Sequence, residues 1–275
     1  MIVTAFVFRV LFLMAALNFS SHNSRGLGAG RIEYIQKLTK NFDFILIQEH
    51  WQVPSRLDIF QDEIPGIGAH ATSAIDDSQL IIGRGYGGCA ILWNANLNLV
   101  ITPVDCKNDR ICAVRAKSVD GTKDFALFNI YMPIDTRHDR DNINVYNSVL
   151  NDIVSVCEAE SFDHVIIGGD WNTDFSRANS LHTKSLNDFI YRSGFVLSRS
   201  CDNASDYTYE NVNGDRSNID HFLVSPNLAP HIISSDIFHD ADNFSDHAMI
   251  SLVTSHDIGR YEPSTRQAAT TPGLK

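Results

Sequence analysis

Two short runs in this chain are apolar without a break, and each stops at a carboxylate. Phe44-Ile45-Leu46-Ile47 leads into Gln48-Glu49-His50-Trp51, and Val165-Ile166-Ile167 leads into Gly168-Gly169-Asp170-Trp171-Asn172. Such runs are too short for helices and lack polar alternation, so neither has a solvent face; they read as central strands covered on both sides. Further strands read at Cys89–Trp93, Leu97–Ile101, Ile111–Ala116, Phe125–Met132 (ended by Pro133), Ile219–Val224 and Ala248–Val253. Helical spacing appears at Ile32, Ile35 and Leu38, again over roughly 141–158 through Ile143, Tyr146, Leu150, Ile153 and Cys157, and near 182–192. Strands outnumber helices in both halves. The expectation is an α/β fold in which two mixed sheets pack face to face with helices outside.

The ends of the chain read differently. Val10–Leu17 resembles the apolar region of a signal peptide with Arg9 ahead of it, yet Ile2–Phe8 is apolar where a basic segment belongs. The same residues also read as the approach to a buried first strand, Leu17 to His22. Residues 1–17 are expected to be an apolar extension, 18–253 one folded domain, and 254–275 a polar, disordered tail. The compartment follows from the extension: intracellular, in the nucleus, if it stays, and secreted if it is removed. No run reaches the ~18 apolar residues of a membrane-spanning helix.

Charge and cysteine content narrow the chemistry. The formal charge is −11, and residues 151–275 carry −10 of it, so a broad basic nucleic-acid face is not advertised. An acidic half is either a solvated surface or carboxylates gathered around a divalent cation. The five cysteines, Cys89, Cys106, Cys112, Cys157 and Cys201, form no C-x-x-C pair, which argues against a zinc knuckle or a disulfide scaffold. Cys89, Cys112 and Cys157 sit among apolar residues and read as buried thiols.

Polar residues cluster where the strands end. A carboxylate closing a fully apolar strand is costly unless paired or metal-bound, and Glu49 is a hard oxygen donor suited to Mg²⁺; the alternative is a polar residue marking the strand end. Asp170 and Asn172 lie two apart and in extended backbone project to one side, an acceptor and an amide able to hold a water and a substrate oxygen; a local Asx turn is the plainer reading. Asp246 beside His247 pairs a carboxylate with an imidazole, which on its own is better explained by a satisfied surface pair. Asp220 is a second residue able to orient an imidazole. Trp51 and Trp93 read as packing, and His138, His164, His182, His231 and His239 as surface or satisfied core residues.

Taken in order, Asn23-Ser24-Arg25-Gly26-Leu27, Gln48-Glu49, Asn129-Ile130-Tyr131-Met132-Pro133, Gly169-Asp170-Trp171-Asn172, Ile219-Asp220 and Ser245-Asp246-His247 resemble the endonuclease/exonuclease/phosphatase superfamily. The phrases Asn23-Ser24-Arg25-Gly26-Leu27, Gln48-Glu49-His50-Trp51, Tyr86-Gly87-Gly88-Cys89-Ala90-Ile91-Leu92-Trp93, Arg110-Ile111-Cys112-Ala113-Val114 and Asp220-His221-Phe222-Leu223 resemble its non-LTR retrotransposon endonucleases. The resemblance implies a four-layered α/β sandwich and a metal-dependent phosphoric ester hydrolase. It implies Mg²⁺ (or Mn²⁺) held by Glu49 with Asn23 and Asp246 nearby. Asp170 would orient or deprotonate the attacking water, and Asn172 would hold that water or the scissile phosphate. His247 would donate to a phosphoryl oxygen, with Asp220 holding its ring, and Tyr131 would contact the phosphate or assist the leaving group. Asn18 competes with Asn23 if the motif is shifted, though Gly26-Leu27 favour Asn23. Tyr207-Thr208-Tyr209 falls where relatives contact substrate. The expected activity is DNA nicking with DNA as partner; the alternatives are hydrolysis of a small phosphoester or lipid head group, or a catalytically inactive binding module.

Overall fold

Alternating inward and outward apolar side chains build two six-stranded sheets. In the computed structural model the described residues are 16–28, 30–77, 85–120, 124–136, 140–199 and 206–255. The chain runs β1 (Leu17–Asn23), α1 (Arg31–Leu38), β2 (Phe44–Gln48), α2 (Ile59–Glu63), β3 (Ile67–Thr72), β4 (Cys89–Asn94), β5 (Leu99–Val104), β6 (Ile111–Ser118) and β7 (Asp124–Tyr131). It continues through α3 (Arg140–Glu160), β8 (His164–Asp170), α4 (Leu181–Ser193), β9 (Val196–Leu197), β10 (Tyr209–Glu210), β11 (Arg216–Ser217), β12 (Asp220–Val224), β13 (Ile232–Phe238) and β14 (Met249–Thr254). The first sheet has the order β13-β14-β1-β2-β4-β3, the second β5-β6-β7-β8-β12-β9, and β10-β11 form a separate ribbon.

The continuous apolar runs are explained by burial on both faces. Phe44 and Leu46 face the interior between the sheets with Phe19, Phe125, Leu127 and Phe222, while Ile45 and Ile47 face outward beneath Tyr34, Ile35 and Leu38 of α1. Phe19 stacks on Phe44 at 5.4 Å, and Phe125 meets both rings edge-on. On the far side, Phe128, Ile130 and Ile167 pack under Tyr146, Val149 and Ile153 of α3 and Leu186 and Phe189 of α4. The layers are therefore helix, sheet, sheet, helix. Among the described residues no helix is long and apolar enough to cross a membrane.

A fully bonded amide crosses the apolar interior. Asn129 of β7 donates through Nδ2 to Ile47 O and Ala90 O, both at 2.8 Å, and accepts from Gln48 Nε2 at 2.6 Å. Buried amides persist only when so satisfied. The contact ties the second sheet to the end of β2, one residue before Glu49.

Strand limits differ from the sequence reading where local turns intervene. The strand expected from Leu97 begins at Leu99, because Asn94 turns the chain by accepting from the Asn96 and Leu97 N–H groups. Pro103 is accommodated in β5 because that strand is an edge. Edge strands β3 and β13 went unread, since their side chains are half-exposed and break the apolar pattern. Thr254, expected to open the tail, ends β14 and pairs with Leu17. The remainder of that tail, the extension through residue 15, His138 and Cys201 lie outside the described residues. Cys89 and Cys112 are enclosed as expected; Cys157 is only half-buried, on the flank of α3.

Two enclosed histidines weaken the fold in acid. Burial lowers His22 to about 3, assisted by His247 and Arg31, and burial lowers His50 to about 4. Both stay neutral in the fold while the unfolded chain binds a proton below its ordinary pKa of ~6.5. The contribution of these two rings is therefore complete above pH ~6.5 and falls with pH down toward the two folded values, by up to ~1.4 kcal/mol per unit for each ring. His22→Leu should flatten this acid limb in urea titrations between pH 7 and 4; an unchanged slope would remove His22 from the linkage.

Candidate active site

Register brings the polar strand ends together. In the second sheet Tyr131 of β7 lies beside Asp170 of β8, and Asp170 lies beside Asp220 of β12. In the first sheet Asn23 of β1 lies beside Gln48 of β2, so Glu49 follows at the same edge. The two edges face each other across a cleft of about 250 Å³ lined by Glu49, Tyr131, Asp170, Asn172, Asp246 and His247, with Arg25, Asp135, Arg177 and Tyr209.

Asn23 joins the two sheets at this point. Its Nδ2 donates to Glu49 Oε1 and to Asp170 Oδ2, each at 3.0 Å, while its Oδ1 accepts the Arg25 N–H. Two carboxylate acceptors fix the amide orientation, because only its NH₂ can serve both. Asn18, the alternative, sits at the opposite end of β1 on Asp43. Glu49 and Asn172 have φ of +54° and +49°, a left-handed backbone unusual for non-glycine residues and concentrated at functional sites. It ends each strand abruptly. Trp51 also has positive φ, packs its ring against Gly26, and donates Nε1–H to Glu49 Oε2 at 3.0 Å. Read as packing alone, Trp51 therefore also orients the glutamate.

Asp170 is 1 % exposed and Asp220 2 %. Asp170 Oδ1 accepts the Asn172 N–H at 2.9 Å, and Asn172 Nδ2 donates to Met132 O. His247 Nδ1 lies 3.0 Å from Asp220 Oδ2, which turns Nε2 toward Asp170 Oδ2 at 3.9 Å. Burial and the Asp220 charge push the Asp170 carboxyl up, against the pull of His247, Asn23 and the Asn172 N–H. Burial alone would keep His247 neutral, but the Asp220 and Asp170 carboxylates outweigh it and raise the imidazole. Burial, with Glu49 and Asp170 nearby, raises the Tyr131 phenol, leaving it a neutral donor.

Asp246 is held by Arg25 at 2.9 Å, and its neighbour Ser245 donates to Asn23 O at 2.6 Å, anchoring this loop to the end of β1. Tyr209 packs its ring 4.9 Å from His247, whereas Tyr207 turns away to stack on His239. Thr208 Oγ1 accepts the Ile219 and Asp220 N–H groups. Of that segment only Tyr209 reaches the cleft. Arg25, Trp51 and Asn129 lay inside motifs already singled out, but nothing in a one-dimensional pattern assigns them these contacts.

The donor set suits a hard cation. The cleft presents carboxylate oxygens from Glu49, Asp170 and Asp246 and no thiol among the described residues. Asp170, Asp220 and His247 also lie within 4.8 Å of one another. In that trio His247 Nδ1 is already engaged by Asp220, so it reads as a proton-holding array, and the Glu49 wall is the better cation seat.

A sequence model described as the Endonuclease/Exonuclease/phosphatase family matches residues 17–247. No curated protein sequence matches the chain. Among solved structures, the catalytic domain of Xenopus laevis APE2 is 16% identical with a TM-score of 0.71, over 90% of this chain and 94% of that one. The endonuclease domain of TRAS1, a telomere-specific non-LTR retrotransposon, is 16% identical with a TM-score of 0.66, over 88% and 99%. The 3′ phosphatase NExo from Neisseria, bound to a product DNA hairpin, is 15% identical with a TM-score of 0.65, over 86% and 98%. At such identities the likeness is one of fold.

Proposed function

The chain belongs to the endonuclease/exonuclease/phosphatase family, and on that premise we propose that it is a Mg²⁺-dependent phosphodiester hydrolase that nicks DNA, of the retrotransposon endonuclease type. The observation that carries this reading is the convergence of Asn23, Glu49, Tyr131, Asp170, Asn172 and His247 from both sheets on one cleft. Enzymes of the family generally use divalent metals, and the DNA-processing neighbours support DNA as the substrate.

In this reading Glu49 holds Mg²⁺, or Mn²⁺ in its place, with Asp246 nearby and Asn23 acting through the carboxylates it donates to. The cation, when bound, polarises a phosphoryl oxygen and offsets the charge of the transition state. Asp170, with its proton affinity raised by burial, takes a proton from the water it positions. Asn172 holds the phosphate or that water. His247, kept protonated by Asp220, directs Nε2–H at a phosphoryl oxygen as negative charge develops, and the neutral Tyr131 hydroxyl donates to the phosphate or the leaving oxygen.

Nicking of supercoiled plasmid with and without Mg²⁺ tests the reading. Mg²⁺-dependent nicking is expected, with Glu49→Ala about 100-fold slower at limiting Mg²⁺. A folded protein that leaves plasmid intact but releases phosphate from a small phosphoester would move the assignment to that substrate class, which the −11 charge favours. No turnover of either would leave a binding module.

A further inference from the structure

Beside the catalytic cleft lies a second, larger groove of about 570 Å³ that shares two of its lining residues, Asp135 and Arg177, so the two cavities adjoin. Its wall is the turn from Ser176 to His182 that opens α4, and Ile143 of α3 stands opposite. We propose that this groove seats the stretch of a nucleic-acid strand next to the scissile bond, with Arg177 binding the flanking phosphodiester. The proposal rests on the nuclease reading above and adds to it a subsite.

Arg177 is placed for that role. Among the described residues no carboxylate pairs with it within 4.0 Å, a condition shared with Arg31, Arg56 and Arg110 but not with Arg25, Arg115, Arg192, Arg199 and Arg216, and its charge helps to lower the Asp174 carboxyl from further away. Its Nη2 donates to Ser217 Oγ at 2.5 Å, and Ser217 itself lines the catalytic cleft, so the guanidinium stands at the junction with donors to spare. The turn beneath it is rigid. Asp174 accepts from Ser176 N–H, Ser176 Oγ and Asn218 N–H, while the Arg177 N–H and Ser180 N–H close successive turns on Asp174 O and Arg177 O. An exposed arginine on a fixed turn suits a phosphate, which it can meet with two parallel N–H donors.

The groove's remaining chemistry fits sugar and base better than a compact anion. Leu181 is 51 % exposed at its lip, and Ile143 supplies apolar surface. Asp135 on the other lip would repel phosphate and confines it to the Arg177 side. In a protein of charge −11, an exposed arginine with no carboxylate in contact gives a polyanion local compensation at this junction that the average surface denies it.

Binding of a labelled duplex oligonucleotide by fluorescence anisotropy in EDTA, over a salt series, tests this without turnover. Arg177→Ala should weaken binding about tenfold and reduce the salt slope by about one, with Arg177→Lys intermediate. Arg192→Ala, the same charge change at the other end of α4, should stay within about twofold of the parent protein. In a second arm, Mg²⁺-dependent cleavage of the same duplex should show the Arg177→Ala loss mainly as a raised KM, because the guanidinium binds a phosphate that does not react, and Arg192→Ala should leave it within about twofold. Parent protein that does not bind the duplex, affinity unchanged in Arg177→Ala, or an equal loss in Arg192→Ala would overturn the subsite. Arg177-dependent binding without Mg²⁺-dependent cleavage would support the subsite and sink the nuclease reading; cleavage with Arg177-independent binding would do the reverse.

Discussion

Asp170→Asn is expected to lower Mg²⁺-dependent turnover about 10³-fold while leaving the fold intact. The amide keeps the shape of the side chain but can neither accept a proton nor carry charge, and loss of a positioned general base is worth about 10²–10⁴ in rate. Its effect on stability has a sign fixed by the surroundings. Asp170 is enclosed, shares the site with Asp220, and holds its proton more tightly than an ordinary carboxyl. In the interval between the ordinary and the raised value the folded chain binds more protons than the unfolded one. Stability from this group therefore falls as pH rises through that interval. Replacing the carboxylate removes that loss and its repulsion of Asp220, at the expense of one acceptor for Asn23. The variant should melt at or above the parent temperature at pH 8 and lose that advantage at pH 4. Turnover within about tenfold of the parent would remove Asp170 from the chemistry.

Gly169→Ala should abolish cooperative folding rather than activity alone. Gly169 has φ +145°, and a Cβ built there would lie 2.1 Å from Ile130 O and 2.9 Å from Ile130 N. Ile130 is its partner in the parallel β7–β8 pairing, so the obstacle is backbone of a central strand, not a side chain that can rotate away. Relief would require parting the strands that carry Tyr131 and Asp170. The expected cost is about 4 kcal/mol or more, a large part of the 5–15 kcal/mol that holds a typical domain. Gly66→Ala is the matched control: φ is +80° with nothing within 4 Å of the added carbon, so only the backbone penalty of about 1–2 kcal/mol applies. Urea denaturation of both variants makes the comparison; a Gly169→Ala midpoint near the parent value would contradict the close approach.

Central strands were readable because burial on both faces leaves an uninterrupted apolar signature, as in Phe44–Ile47 and Val165–Ile167. Edge strands β3 and β13 were not, since a half-exposed strand borrows its stability from one neighbour and needs no apolar pattern. The same logic governs the site. Glu49 and Asp170 stood out because a carboxylate closing an apolar strand demands a partner. Arg177 gave no signal: an exposed arginine in a polar turn looks like any other until the turn is seen beside the cleft.

The amino-acid order alone determined the layered α/β architecture, through the period of its apolar residues, and the set of polar strand ends from which a site could be built. Which of those ends meet was decided only by tertiary structure. Parallel pairing of β1 with β2 and of β7 with β8, and Asn23 spanning the two sheets, place residues 26 and 147 positions apart within hydrogen-bond distance. Contacts at such separations depend on strand register and sheet packing, which are properties of the whole core and leave no mark at either residue.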